Sequence, residues 1–225
     1  MTVYTQGFTE TGATLFPAIL DGAQVSVLAC ALSADLGSRP GKRLTGCAWA
    51  QLLTTSGVVG RIAVDLIGPL ARPVRAVLFD KTPETNWSVG WHQDRTIAVR
   101  RRVEADGFGP WSTKDGIPHV APPISVLAGM ITLRLHLDDC GDDNAPLKVA
   151  LGSHLSGLVA ANQAAQVAET HRLLVCLALA GDIWAYSTLI LHASERSRNP
   201  GRRRVLQVDY SAQSLADGLE WYGLD

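Results

Sequence analysis

From residue 74 onward the chain is cut into short apolar runs, and that segmentation limits what it can fold into. Residues 74–79, 130–137, 147–150, 173–177, 183–186, 189–192 and 203–211 are rich in leucine, β-branched and aromatic residues, and clusters of Gly, Pro, Asn and Asp separate them. Short strands punctuated in this way predict a β-sandwich or barrel. Two stretches rich in Ala, Leu and Val precede them. Residues 16–36, with Asp21 near the start and Gly37 just past the end, read as a helix with a glycine stop. Residues 56–67 read as a second helix, ended by Gly68-Pro69. A further helix is expected near 162–171, and residues 107–123, with several Gly and Pro, read as a loop.

The 225 residues suit one domain over 1–225, with a mostly helical first third packed on the β portion. Hydrophobic residues make up 47%, enough for such a core, and the formal charge of −1 argues against a nucleic-acid partner. Cys30, Cys47, Cys140 and Cys176 form no CxxC pair, so neither a zinc site nor a disulfide framework is expected. Reduced thiols and an N-terminus without a basic start and apolar core point to a cytoplasmic protein. The apolar run 173–180 is too short to cross a bilayer, so no membrane partner is expected. Oligomeric state is not legible.

Within this frame one pattern carries chemistry. Trp91-His92-Gln93-Asp94 sets an imidazole and a carboxylate two residues apart, which an extended chain turns to one side. His192 comes far downstream, after Leu189-Ile190-Leu191 and at the end of a candidate strand. His-x-Asp with a distant His is the order of a 2-His-1-carboxylate facial triad, which covers one face of a metal and leaves the other open. These ligands suit Fe(II), and also Mn, Co or Zn. Ser194 lies two residues past His192, on the same strand face, and Arg203 eleven past it. A guanidinium and a hydroxyl there can grip a carboxylate. Alternation along 203–211 groups Arg203 with Val205, Gln207 and Asp209, and Arg204 with Leu206, Val208 and Tyr210, so Arg203 falls on the more polar face.

These residues resemble the phytanoyl-CoA dioxygenase family of Fe(II)/2-oxoglutarate oxygenases, over about residues 78–210. The resemblance adds Asn144-Ala-Pro-Leu147, Gly152-Ser-His154 and Gly181-Asp182 to the metal and anion motifs. It implies a double-stranded β-helix, a jelly roll backed by helices. It implies iron bound by His92, Asp94 and His192, and the far carboxylate of 2-oxoglutarate held by Arg203 and Ser194, with Thr132 near the co-substrate. The implied activity oxidises a small-molecule substrate with O2, by hydroxylation, while 2-oxoglutarate becomes succinate and CO2. Related halide-incorporating enzymes replace the metal-binding Asp by a small residue, and Asp94 is present here. The chain departs from the family in Ala145, where glycine is usual, and in Arg134.

Arg134 shares a strand face with Thr132 and His136, opposite Ile131, Leu133, Leu135 and Leu137. It reads either as a contact to an anionic substrate or as an ion-pair partner of Asp138. Trp111, in a Gly- and Pro-rich segment after the metal motif, is a candidate substrate wall. His154 reads as a structural loop residue, and His119 and His171 as exposed. Two other classes fit the same residues. One is a non-catalytic jelly roll that binds a small acid through Arg203. The other is a non-oxidative metal enzyme such as an isomerase.

Overall fold

The computed structural model describes residues 3–33, 41–44, 48–199, 201–216 and 218–224. Its frame is two antiparallel sheets. The larger holds β1 (Ala13–Phe16), β2 (Gly41–Leu44), β3 (Arg72–Lys81), β8 (Met130–His136), β11 (Ile183–Ser187) and β13 (Arg203–Ser211), in the order β1-β11-β8-β13-β3-β2. The smaller holds β4 (Val89–His92), β9 (Leu147–Ala150), β10 (Leu173–Cys176) and β12 (His192–Ser194), in the order β10-β9-β12-β4. The core strands pass back and forth between the sheets, except that β9 and β10 are neighbours in the smaller one, as in a double-stranded β-helix. A third, small sheet joins β5 (Ile97–Ala98), β6 (Trp111–Lys114) and β7 (Ile117–Val120).

Period-two alternation divides the large sheet into two chemically different faces. One face offers Ala76 and Leu78 from β3, Ile131, Leu133 and Leu135 from β8, and Leu206, Val208 and Tyr210 from β13. Helices α2 (Gly22–Ser33) and α3 (Val58–Ile67) cover it with Leu28, Leu32, Val59, Ile62 and Ala63. Burying each larger aliphatic side chain there contributes about 1.5–3 kcal/mol. The other face carries Arg75, Phe79 and Lys81, then Thr132 and Arg134, then Arg203, Gln207 and Asp209. It looks across to the small sheet.

Residues 50–67 are long and apolar enough to cross a membrane by composition. They do not form one continuous α-helix. A 3-10 turn over Ala48–Leu53 is followed by a bend before α3, and Val59, Ile62 and Ala63 of α3 are buried against the sheet.

Several elements correct the sequence reading. The helix expected over 16–36 begins only at Gly22. Asp21 accepts a hydrogen bond from the Gln24 amide at 2.8 Å, and the Gln24 side chain accepts one from the Asp21 amide at 2.9 Å, a capping box that fixes the start. Phe16 lies instead in β1, paired with Ile183. The sheet's need for an edge strand overrides helical composition there. Residues 34–37 lie outside the described residues.

Residues 107–123 contain the hairpin β6–β7. Its turn residues Asp115 and Gly116 both have positive φ, 51° and 77°, the two-residue connection that matches strand twist. His192 opens a strand and does not end one. Residues 188–191 make the reversal that carries the chain from the large sheet to the small one, with the Ile190 amide donating to the Ser187 carbonyl at 2.9 Å. His119, expected to be exposed, is fully buried on β7. Two helices are short: α4 (Ile124–Ala128) and α5 (Ala164–Glu169). The first helix, α1 (Val3–Thr11), precedes β1.

Candidate active site

His92 ends β4, Asp94 follows two residues on, and His192 opens β12 directly opposite His92 in the antiparallel pair. The two imidazole centroids are 4.2 Å apart. One ligand atom from each of His92, Asp94 and His192 lies within 4.8 Å of the others, close enough to share one ion. Both histidines are set in the tautomer a metal requires. His92 Nδ1–H donates to the Gly90 carbonyl at 2.8 Å and His192 Nδ1–H to the Ile190 carbonyl at 3.0 Å, which leaves each Nε2 lone pair free. Burial pushes His192 down to about 4, so the ring is neutral at neutral pH.

The loop around the triad is braced by residues the motif does not advertise. Gln93 points away from its two neighbours and donates to the carbonyls of Leu189 at 2.6 Å and Gly157 at 2.8 Å, while it accepts from the Val159 amide at 2.9 Å. It therefore ties the His-x-Asp segment to the chain just before His192. Ser153, in the Gly152-Ser-His154 run, accepts from the Leu191 amide at 2.8 Å and fixes the same approach. His154 donates to the Thr9 carbonyl at 3.2 Å, a structural role. In Gly181-Asp182, the aspartate accepts from the amides of Ala18 and Leu179, both at 2.8 Å, and so shapes the turn into β11.

Behind Asp94 stands a buried ionic relay. Arg75 Nη2 donates to Asp94 Oδ2 at 3.5 Å, and its Nε donates to Asp209 Oδ2 at 2.5 Å. Thr132 Oγ1 donates to Asp209 Oδ1 at 3.0 Å. Burial works to raise the Asp94 carboxyl, but Arg75, His192 and His92 outweigh it and hold the group below its usual range. Asp94 is thus ionised, with Oδ2 engaged by Arg75 and a carboxylate oxygen within 4.8 Å of both histidine ligand atoms.

A cavity of about 110 Å³ opens beside the triad, and Lys81, Arg134, Ser194, Arg203 and Gln207 line it. Arg203 Nη1 donates to the Ala145 carbonyl at 2.7 Å, and its buried Nε has no partner. Ser194 Oγ donates to the same carbonyl at 3.2 Å. Arg134 Nη1 donates to Gln207 Oε1 at 2.7 Å, packs 5.7 Å from the Phe79 ring centroid, and also has an unpartnered Nε. Lys81 Nζ donates to the Glu195 carbonyl at 2.9 Å and lies 5.0 Å from the Trp87 centroid. Burial, then Arg203 and Arg134, push its ammonium down to about 8. Among the described residues none of these three cations is paired with a carboxylate. Uncompensated buried charge is costly, so the chamber is built for an anion with more than one negative group.

A second cavity, of about 420 Å³, meets the first at Phe79, Trp87, Asp94 and Gln207. It runs between β2 and the β6–β7 hairpin, with Lys42, Arg43 and Lys114 on its walls.

The structure therefore brings together seven of the residues singled out in the sequence: His92, Asp94, His192, Ser194, Arg203, Arg134 and, one layer back, Thr132. Thr132 does not line the cavity, because its hydroxyl is committed to Asp209. Arg134 faces the same chamber as Arg203, and Asp138 pairs instead with Arg204 at 2.7 Å. Trp111 lies outside both cavities. It packs against the hydrophobic cluster that contains Val99, Val120 and Leu127, and Arg102 covers its ring at 5.4 Å. Sequence reasoning missed Arg75, Lys81 and Lys114. Alternation along β3, with Arg75, Phe79 and Lys81 on one face, is the signal that could have found the first two.

Residues 60–205 match the family model for phytanoyl-CoA dioxygenase (PhyH). The match covers more than half of the sequence, and the chain belongs to that family. It is a 2-oxoglutarate-dependent oxygenase whose cofactors are Fe(II) and 2-oxoglutarate. The two-histidine, one-carboxylate donor set suits the iron, and the unpaired cations beside it suit a dicarboxylate. No curated protein matches the chain by sequence.

Solved structures share the fold. Iron-bound EctD of S. alaskensis superposes with TM-score 0.68 at 15% identity, over 94% of this chain and 76% of that one. HygX of Streptomyces hygroscopicus, with nickel, 2-oxoglutarate and hygromycin B, gives 0.64 at 16%, over 94% and 87%. The non-heme alpha ketoglutarate dependent carbocyclase SnoK from nogalamycin biosynthesis gives 0.64 at 16%, over 94% and 84%.

Proposed function

We propose that the chain hydroxylates a small molecule in a 2-oxoglutarate-dependent reaction. The observation that carries this reading is the chamber itself: a facial triad on one wall and three buried cations without carboxylate partners on the others. Bound there, Fe(II) and 2-oxoglutarate supply the oxidising power, with O2 consumed, 2-oxoglutarate released as succinate and CO2, and one oxygen atom placed on the substrate.

The chain's own residues bind, orient and exclude. His92, Asp94 and His192 would hold the metal, and Arg75 positions Asp94. Arg203, anchored through Nη1 on the Ala145 carbonyl, turns its remaining N–H groups to the far carboxylate of the co-substrate, and Ser194 joins it by rotating its hydroxyl from that carbonyl to the carboxylate. Arg134 and Lys81 neutralise the remaining charge. Phe79, Trp87, Val89 and Leu147 keep bulk water from the chamber. The prime substrate occupies the second cavity, which touches the metal site at Asp94. An intact carboxylate at position 94 favours hydroxylation over halide transfer, because it leaves no protein donor position for a halide.

The test is succinate release with Fe(II), 2-oxoglutarate and O2 across a panel of small molecules, with mass spectrometry of the products. Substrate-dependent succinate and a product heavier by one oxygen are expected. A chlorinated product in chloride buffer, or turnover without 2-oxoglutarate, overturns the reading.

A further inference from the structure

The second cavity differs from the co-substrate chamber in one respect that bears on what enters it. Its walls carry Lys42, Arg43, Arg75 and Lys114, and among the described residues that line it the only acid is Asp94, a metal-ligand candidate. Arg75 is spent on Asp209 and Asp94. Arg43 and Lys114 are satisfied less completely. Arg43 Nη1 pairs with Asp115 Oδ2 at 2.7 Å across the cavity mouth, and its buried Nε has no partner. Lys114 Nζ donates to the neutral hydroxyl of Thr96 at 3.0 Å and is in no ion pair among the described residues.

These positions are imposed by the backbone. Lys114 is the last residue of β6, immediately before the tight Asp115-Gly116 turn, and Arg43 sits on β2, the outer strand of the large sheet. The Arg43–Asp115 pair ties the hairpin tip to that strand, so both cations are held at one opening. Asp115 answers Arg43, and Asp209 and Asp94 answer Arg75, so Lys114 is the cation left without an acid among the described residues, and the Arg43 Nε–H is left without an acceptor; an anion at the opening would complete both. The deeper wall is Val77, Phe79 and Trp87, which is apolar and partly flat. The cations of the co-substrate chamber, Lys81, Arg134 and Arg203, do not line this cavity.

We propose that the second cavity recognises an anionic prime substrate, with Lys114 and Arg43 binding its carboxylate or phosphate group and Phe79 and Trp87 packing on its apolar body. The inference rests on the oxygenase reading for the role of the bound molecule, and not for the binding itself. It gives the substrate a polarity: charged end at the hairpin, reacting carbon toward Asp94.

The experiment is anaerobic calorimetry on the full chain loaded with Fe(II) and 2-oxoglutarate, with benzoate, phenyl phosphate and the neutral benzamide as probes. One or both anions bind, benzamide binds at least about tenfold more weakly, and Lys114→Met and Arg43→Gln each weaken the anion by about tenfold. The tighter of the two anions identifies the head group. The visible charge-transfer band of the Fe(II)–2-oxoglutarate complex, recorded on the same samples, keeps its 2-oxoglutarate half-saturation in both variants. Equal binding of benzamide, no binding of either anion, or unchanged anion affinity in both variants overturns the proposal. So does a loss of 2-oxoglutarate affinity in the variants, which would assign these cations to the co-substrate. Absence of the band in the wild-type protein would instead overturn the oxygenase reading, while a Lys114-dependent anion isotherm in that same sample would still support this site.

Discussion

Arg203 and Ala145 form a single device: the arginine donates to the Ala145 carbonyl at 2.7 Å, and Ala145 holds that carbonyl in place from a left-handed backbone position, φ 52°. Ser194 shares the same acceptor. A residue with a Cβ is strained there by about 1–2 kcal/mol, and glycine is not. Ala145→Gly removes the strain but frees the unfolded chain, so the net expectation is a gain of about 0.5 kcal/mol in urea denaturation, with 2-oxoglutarate affinity retained. Ala145→Val, β-branched at positive φ, lowers both stability and 2-oxoglutarate affinity.

The three arginines near the end of the barrel separate cleanly by partner. Arg203→Ala removes a charge-assisted contact to the co-substrate and raises its dissociation constant by about 10–100-fold in anaerobic titrations. Arg204→Ala, which breaks the partly buried pair with Asp138 outside the chamber, leaves it within about twofold. Arg134→Leu is expected to follow Arg203, since both face one chamber. If Arg134→Leu spared 2-oxoglutarate and impaired only the prime substrate, Arg134 would belong to substrate recognition.

Removal of any metal ligand gives a distinct pattern. His92→Ala, Asp94→Ala and His192→Ala each abolish the Fe(II)–2-oxoglutarate band and succinate release while the far-ultraviolet dichroism is kept. Arg75→Met behaves differently. It leaves Asp209 buried without its partner, so it costs about 3–5 kcal/mol of stability as well as weakening iron. An Arg75→Met protein as stable as wild type would refute the relay.

Acid should unfold the protein early. Burial pushes His119 down to about 4 and His136 to about 3, against an ordinary value of 6.5. Their folded-state values are depressed, so the stability tied to the neutral rings is complete above pH 6.5 and is lost as pH falls toward 4, where the unfolded chain takes up the protons. Urea midpoints measured from pH 7.5 to 4.5 fall over that window. The double variant His119→Gln/His136→Gln flattens the slope. Lys81 acts in the same sense at the alkaline end: its folded-state value is also depressed, so stability is gained as pH rises from about 8 to 10.5.

What the sequence disclosed was whatever followed a period or a motif. The strand expected over 203–211 is β13, and its alternation already places Arg203 and Gln207 on one face, where they line the chamber. The alternation over 130–137 likewise turns Ile131, Leu133 and Leu135 into the core. Residues whose role depends on a partner far along the chain stayed hidden. Nothing local to Arg75 announces Asp209, and nothing local to Lys114 announces Arg43. Helical composition concealed β1, because an edge strand is defined by its neighbour β11 and not by its own propensity. The glycines and prolines of 107–123 concealed a hairpin whose Asp-Gly turn was itself the signal.

The pairing of His92 with His192 has a kinetic consequence. These residues come from opposite halves of the chain, and β4 is the outermost strand of its sheet. The site cannot exist until that strand has docked, and long-range β pairing of this kind forms slowly. Iron that binds only the docked form stabilises it by mass action, in proportion to the logarithm of metal concentration. Fe(II) added to the protein should therefore slow proteolytic cleavage near β4, while the rest of the fold keeps its resistance.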